Sequence, residues 1–130
     1  KTKRTKVTKI NDGDTIVIEG NEKIRFLMVD TPEVYNVDSP EPYGEQASEF
    51  TKELLTGKQV SLEYDIERED PYGRTLAYVY LPDGRMVNEM LLEEGLAKVV
   101  VYEPNDKYEE KFREIEDTAK KSKQGIWGIE

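Results

Sequence analysis

Along the first third of the chain, apolar and polar positions alternate with the period of two expected of half-buried strands. Val7 to Ile10 and Thr15 to Glu19 read as two strands joined through Asn11-Asp12-Gly13-Asp14. An Asp-Gly pair between apolar runs predicts a hairpin, because glycine tolerates the positive φ of a tight turn. Lys23 to Val29 gives a third strand, stopped by Pro32. From Glu33 to Gly44 the periodicity disappears and Pro40 and Pro42 intervene, which predicts a long loop. Ala47, Phe50, Leu54 and Leu55 then recur at helical spacing, with Gly57 as the stop.

Alternation returns at Val60, Leu62 and Tyr64, and Thr75 to Leu81 supplies a fifth strand after Asp70-Pro71-Tyr72-Gly73. Val87, Met90 and Leu91 mark a short helix closed by Gly95, and Val99 to Tyr102 an extended stretch ended by Pro104. Asp106 with Glu109 has the spacing of a capping box, opening a helix with the apolar stripe Tyr108, Phe112, Ile115 and Ala119. The expectation is an α+β domain: a five-stranded OB-fold β-barrel of antiparallel strands with three helices, closing its own edges and leaving one face open for a ligand. No internal repeat or low-complexity linker divides the 130 residues, which predicts one domain spanning 1–130.

Composition narrows the chemistry. There is no cysteine and no histidine, so disulfides, thiol nucleophiles and the usual structural zinc sites are excluded. Acid–base work falls to carboxylates, lysine or tyrosine. The net charge of −9 argues against a simple nucleic-acid binder. Five of the first nine residues are nonetheless basic, and residues 1–6 read as a basic, solubilising N-terminal tail. The longest apolar run, Leu76 to Leu81, is far too short to span a membrane. The chain opens at Lys1 with no visible signal peptide, which reads as a mature or trimmed form.

Three short motifs carry candidate chemistry. Asp12-Gly13-Asp14-Thr15 is either a plain hairpin turn or a turn that offers the Asp14 carboxylate to a hard cation. Asp30-Thr31-Pro32-Glu33 either ends a strand or gathers two carboxylates and exposed carbonyls in one bend, a mixture of oxygens that suits calcium. Arg25, in phase with Leu27 and Val29, is costly in an apolar run unless it forms an ion pair or faces a polar cleft. In Asp70-Pro71-Tyr72-Gly73-Arg74, Arg74 could enter that cleft from another hairpin, with Tyr72 packing on a sugar or base. Arginine suits phosphate because its planar fork donates two hydrogen bonds and stays charged. Three acids and two arginines meet the needs of metal-assisted phosphodiester hydrolysis.

These motifs, read in order, resemble the staphylococcal nuclease (thermonuclease) family. The resemblance runs through Asp-Gly-Asp-Thr at 12–15, Arg-Phe-Leu-Met-Val-Asp-Thr-Pro-Glu at 25–33, Tyr-Gly-Glu-Gln-Ala-Ser-Glu-Phe-Thr at 43–51 and Tyr-Gly-Arg-Thr-Leu-Ala-Tyr-Val-Tyr at 72–80. It continues through Met86-Val87-Asn88-Glu89, Gly95 to Val99 and Gly125-Ile126-Trp127. It implies a Ca2+-dependent endonuclease acting on DNA and RNA, preferably single-stranded, that leaves 3′-phosphate ends. By position, Asp14 and Asp30 match the calcium carboxylates and Thr31 the carbonyl ligand. Arg25 and Arg74 match the phosphate clamp, and Glu33 the acid usually cast as general base. Tyr72 and Tyr102 match nucleotide-packing positions. A monomer, secreted or held at the cell envelope, is what the family tendency implies. The rival expectation is a catalytically inactive module of the same fold that binds nucleic acid or protein, but such modules typically lack one of these acids or arginines.

The chain also departs from the family pattern. Pro71 stands where a lysine is common, Val100 replaces one of two packing tyrosines, and Asp38, Glu41 and Glu45 make the long loop acidic. A weaker grip on substrate around an intact catalytic centre is the expectation.

Overall fold

The computed structural model describes residues 2–34 and 41–129. Strands β1 (Thr2–Asp12), β2 (Thr15–Ile18), β3 (Glu22–Phe26), β5 (Gln59–Glu63) and β6 (Thr75–Tyr80) form a closed barrel in the order β1-β2-β3-β6-β5. A separate two-stranded sheet pairs β4 (Val29–Asp30) with β7 (Lys98–Val99). Helix α1 (Gly44–Leu55) packs on β1, and α2 (Val87–Glu93) lies between β6 and α3 (Glu109–Lys121). A 3-10 turn at Gly125–Gly128 follows. The five-stranded barrel with three helices matches the sequence expectation. One pairing does not: β3 and β6 run parallel. The long connection through α1 and β5 brings β6 back beside β3 in the same direction, as a crossover permits and a hairpin does not.

The barrel interior follows the alternation. Val7, Ile16, Ile18, Ile24, Phe26, Val60, Leu62, Ala77 and Val79 are buried in one core that Leu91, Leu92 and Phe112 extend from the helices. The expected basic tail is corrected: Thr2 to Lys6 belong to β1 and pair with Glu63 to Gln59 of β5. Arg4 and Lys6 alternate with buried, inward-facing Thr5 and Val7, so they are the outer half of a strand, while Lys3 is exposed near the strand's end and pairs with Glu22. Pairing with β5 satisfies this segment's amides, which no charge pattern could reveal.

The third strand breaks after Phe26, not at Pro32. Met28 adopts φ 64, and every carbonyl of the resulting turn finds a donor. Arg25 Nη1 donates to Phe26 O and Val29 O, both at 2.7 Å. Asn88 Nδ2 donates to Leu27 O at 2.9 Å, and Val100 N to Met28 O at 3.1 Å. The sharp bend costs little because it leaves no buried carbonyl unpaired. The proposed capping box is also absent. Asp106 offers its main-chain carbonyl to Glu109 N, and α3 begins at Glu109 behind Tyr108 without a side-chain cap.

Candidate active site

The β1–β2 hairpin, the β3–β4 bend and the loop before β6 meet on one side of the barrel. Gly13 is required there for closeness, not for a positive φ. A Cβ at Gly13 would stand 2.9 Å from Thr31 Oγ1 and 3.0 Å from the Ala47 methyl. Thr51 of α1 also donates to Gly13 O at 2.7 Å, so the helix props the hairpin against the bend. Phe26 N donates to Asp14 O at 2.9 Å, which locks the turn to β3.

This backbone places three of the sequence candidates in direct contact. Arg25 Nη2 lies 3.4 Å from Asp14 Oδ2 and 3.3 Å from Asp30 Oδ1. Asp14 is buried and also accepts from Thr31 N at 3.0 Å and Thr15 Oγ1 at 3.1 Å. Arg25 thus joins both readings that its sequence allowed: it is an ion-paired arginine and it faces a polar cleft. The Asp30 carboxyl holds its proton more tightly than an ordinary aspartate. Burial contributes most, Arg25 opposes, and Asp14 and Glu41 add repulsion.

Glu33 sits at the margin of this group and is exposed. Its amide donates to Glu41 Oε1 at 2.6 Å and its carbonyl accepts from Glu41 N at 2.9 Å, which fixes the two ends of the long loop together. Asp38 lies outside the described residues. Arg74 approaches from the other wall. Its Nε donates to Asp70 Oδ2 at 2.7 Å, and its guanidinium carbon stands 5.6 Å from the Tyr72 ring centre. Arg25 and Arg74 line a common cavity of about 480 Å³ with Tyr72, Tyr102, Leu76 and Val100. Tyr72 and Tyr102 are 82% and 76% exposed, so both rings are available to a ligand rather than packed in the core.

One residue of the site escaped the motif reading. Asp12, half-buried on the same hairpin, has its carboxyl pushed up to about 6. Burial is the main cause, and the charges of Asp14 and Glu33 reinforce it against Gly13 N and Arg25. A single aspartate before glycine carries no mark of this in sequence, because the effect arises from neighbours on other elements. A carboxyl that binds its proton more tightly folded than unfolded loses stability as pH rises through 6. Asp12→Asn keeps the acceptor for Gly13 N and removes the charge. In chelator, its melting temperature should exceed the unsubstituted chain's at pH 8, with the gap closing toward pH 4. A gap of equal size at both pH values would contradict this account.

The donor set fits a hard cation. Around Arg25 stand Asp12, Asp14, Asp30 and Glu33, oxygen donors with an excess of negative charge, the ligand chemistry calcium takes. Thr31 Oγ1 is buried beside them without a hydrogen-bond partner among the described residues. Among the described residues, the three-carboxylate cluster whose oxygens approach within 4.8 Å lies elsewhere, at Glu103, Asp106 and Glu109.

The chain is similar to known nucleases over most of its length. The chain is 47% identical over 126 residues to a thermonuclease of Staphylococcus hyicus, covering 94% of this chain and 74% of that protein. It is 47% identical over 125 residues to the thermonuclease of Staphylococcus intermedius, covering 93% and 74%. It is 52% identical over 122 residues to the endonuclease YncB of Bacillus subtilis (strain 168), covering 89% of this chain and 57% of that longer protein. A family profile described as staphylococcal nuclease homologue matches residues 23–128, and the chain belongs to that family.

Proposed function

We propose that this nuclease hydrolyses phosphodiester bonds in DNA and RNA, preferably single-stranded, in a Ca2+-dependent reaction that leaves 3′-phosphate ends. The observation that carries the reading is Arg25, whose one guanidinium touches both Asp14 and Asp30 while lining the cavity that Arg74 also lines. Asp14, Asp30 and the Thr31 carbonyl are assigned as the calcium ligands. Bound there, calcium would polarise a phosphoryl oxygen and offset the charge of the acids.

The remaining steps belong to the chain's own side chains. Arg25 and Arg74 clamp the scissile phosphate from two walls and stabilise the charge that grows on its oxygens. Glu33, exposed and adjacent, is assigned to orient or deprotonate the attacking water. Tyr72 and Tyr102 offer faces for base or sugar packing. The inactive-module alternative is disfavoured because none of these groups is missing, and Arg25 touches Asp14 and Asp30 while lining the cavity of Arg74.

The test pairs binding with cleavage. Calcium should raise the melting temperature of the chain, as any ligand of the native state does, and Asp14→Ala or Asp30→Ala should abolish that rise. Single-stranded DNA should be cut in calcium and not in excess chelator, with Glu33→Ala and Arg74→Ala crippled. Metal-independent cutting that survives both substitutions would sink the assignment, and tight binding without cutting would favour the module.

A further inference from the structure

Beyond Arg25 and Arg74, the lining of the cavity that takes the scissile region carries no cation among the described residues, and it includes the acids Glu67, Glu69 and Asp70. A polyanionic substrate therefore needs its attraction from elsewhere, and the barrel face beside Arg25 supplies it. On β3, Ile24 and Phe26 point inward and are buried, so Lys23 and Arg25 share the outer face. They stand two residues apart, ~6.6 Å along the strand. Cross-strand register extends two rows from them. Arg25 lies opposite Thr15, which lies opposite Asp12; Lys23 lies opposite Val17, which lies opposite Lys9.

The first row is the site already described. The second is a row of cations next to it. A register shift between Val7 and Lys9 turns Lys9 to this outer face. Val17 is only 7% exposed yet lies outside the core cluster, as expected if the lysine stems on either side cover it. Lys9 and Lys23 are exposed and form no ion pair among the described residues, whereas Lys3 pairs with Glu22 at 3.7 Å. The row also points at the second arginine. One step before the paired residues Ile24 and Thr75 stand Lys23 and Arg74.

We propose that Lys9 and Lys23 form a phosphate-binding track that carries the single-stranded sugar–phosphate backbone flanking the scissile bond across strands β1, β2 and β3. The proposal rests on the nuclease reading for the identity of the polyanion. The track lies about 10 Å wide from lysine to lysine, two strand spacings, and ends at Arg25 and Arg74. It holds the backbone by charge without reading sequence. A substrate too short to leave the cavity does not reach it.

The experiment compares the unsubstituted chain, K9Q/K23Q, and a K121Q/K123Q control of equal charge change at the far end of α3. Cleavage of a dinucleotide and of a long oligothymidylate is measured over a range of salt. Binding of the same oligothymidylate is measured separately by fluorescence anisotropy without calcium. In K9Q/K23Q the long substrate's KM should rise roughly five- to tenfold at low salt. The slope of log affinity against log salt should become shallower by about 0.7 for each lysine. The ratio of long- to short-substrate efficiency should fall with it. An unchanged slope, or an equal loss in the control, would overturn the track. Failure of the unsubstituted chain to cut either substrate would instead overturn the nuclease reading, and the anisotropy slopes would still judge the track.

Discussion

Arg25→Lys should lose roughly 10²- to 10³-fold in kcat, the usual range when one preorganised donor to a developing oxyanion is removed. The charge is conserved in this substitution, so the loss must come from geometry. Arg25 uses one terminal nitrogen to bond Phe26 O and Val29 O and presents the other to Asp14 and Asp30. A lysine has one nitrogen and cannot do both. If its ammonium goes to the carboxylates, two carbonyls of the bend lose their donor, at a cost of about 1–3 kcal/mol each. If it goes to the carbonyls, the acids repel one another and the phosphate loses its donor. Single-turnover cleavage of single-stranded DNA at saturating calcium checks the expectation. A rate within threefold of the unsubstituted chain would show that Arg25 acts by charge alone. Arg74 should be more forgiving of Lys in stability, since its Nε bond to Asp70 serves its own loop and not the barrel.

The same residue shows what sequence could and could not reveal. Arg25, Asp14 and Asp30 were legible because each violates its local pattern: a charge in a strand, an acid in a turn, an acid before a strand-ending proline. That they belong to one site is what the family resemblance implies. The bend that joins them was not legible. Lys23 to Val29 has the composition of one strand, and only Asn88 and Val100, remote in sequence, complete the hydrogen bonds that allow it to turn at Met28. Asp12 was invisible for a related reason, since its raised affinity for a proton comes from burial and from Asp14 and Glu33 together. The N-terminal cations look like a tail because charge alone hides the strand: only the buried Thr5 and Val7 between them, and pairing with the distant β5, mark the segment as part of the barrel.

A stronger case of remote partners is Glu63. By alternation it is an outward polar position on β5, yet its side chain is nearly inaccessible. It accepts from Tyr80 Oη at 2.6 Å and from Tyr108 Oη at 2.8 Å, and it pairs with Lys107. Burial alone would raise its pKa, but the hydrogen bonds from Lys107, Tyr80 and Tyr108 overcome that and hold the carboxyl below its usual range. These bonds fasten α3 to β5 and β6 around the edge-on Tyr78–Tyr108 ring contact.

Glu63→Ala should therefore destabilise the chain by about 1–3 kcal/mol, the cost of leaving partly buried hydrogen-bonding groups without their acceptor, with little added by the half-exposed Lys107. Two tyrosine hydroxyls and an ammonium lose their acceptor at once. The pH dependence has a definite sign. A carboxyl whose folded pKa is depressed contributes stability above its unfolded pKa and loses it as pH falls through the folded value. The difference between the two proteins in urea midpoint should thus be constant from pH 6 to 8 and shrink below about pH 4. A difference that grew in acid would refute the assignment. The loss should also reach the site. Two residues beyond Glu63, Asp65 takes Tyr78 Oη at 2.6 Å, and beyond it Glu67 is held by paired bonds to Asn105 at 2.8 and 2.9 Å. Glu67 and Asn105 both line the cavity that carries Tyr72, Tyr102 and Arg74. Loosening β5 at Glu63 frees that wall, so Glu63→Ala should raise KM at temperatures where the protein is still folded. Arg25→Lys, by contrast, acts chiefly on kcat, and the two substitutions together separate the wall that holds substrate from the arginine that acts on it.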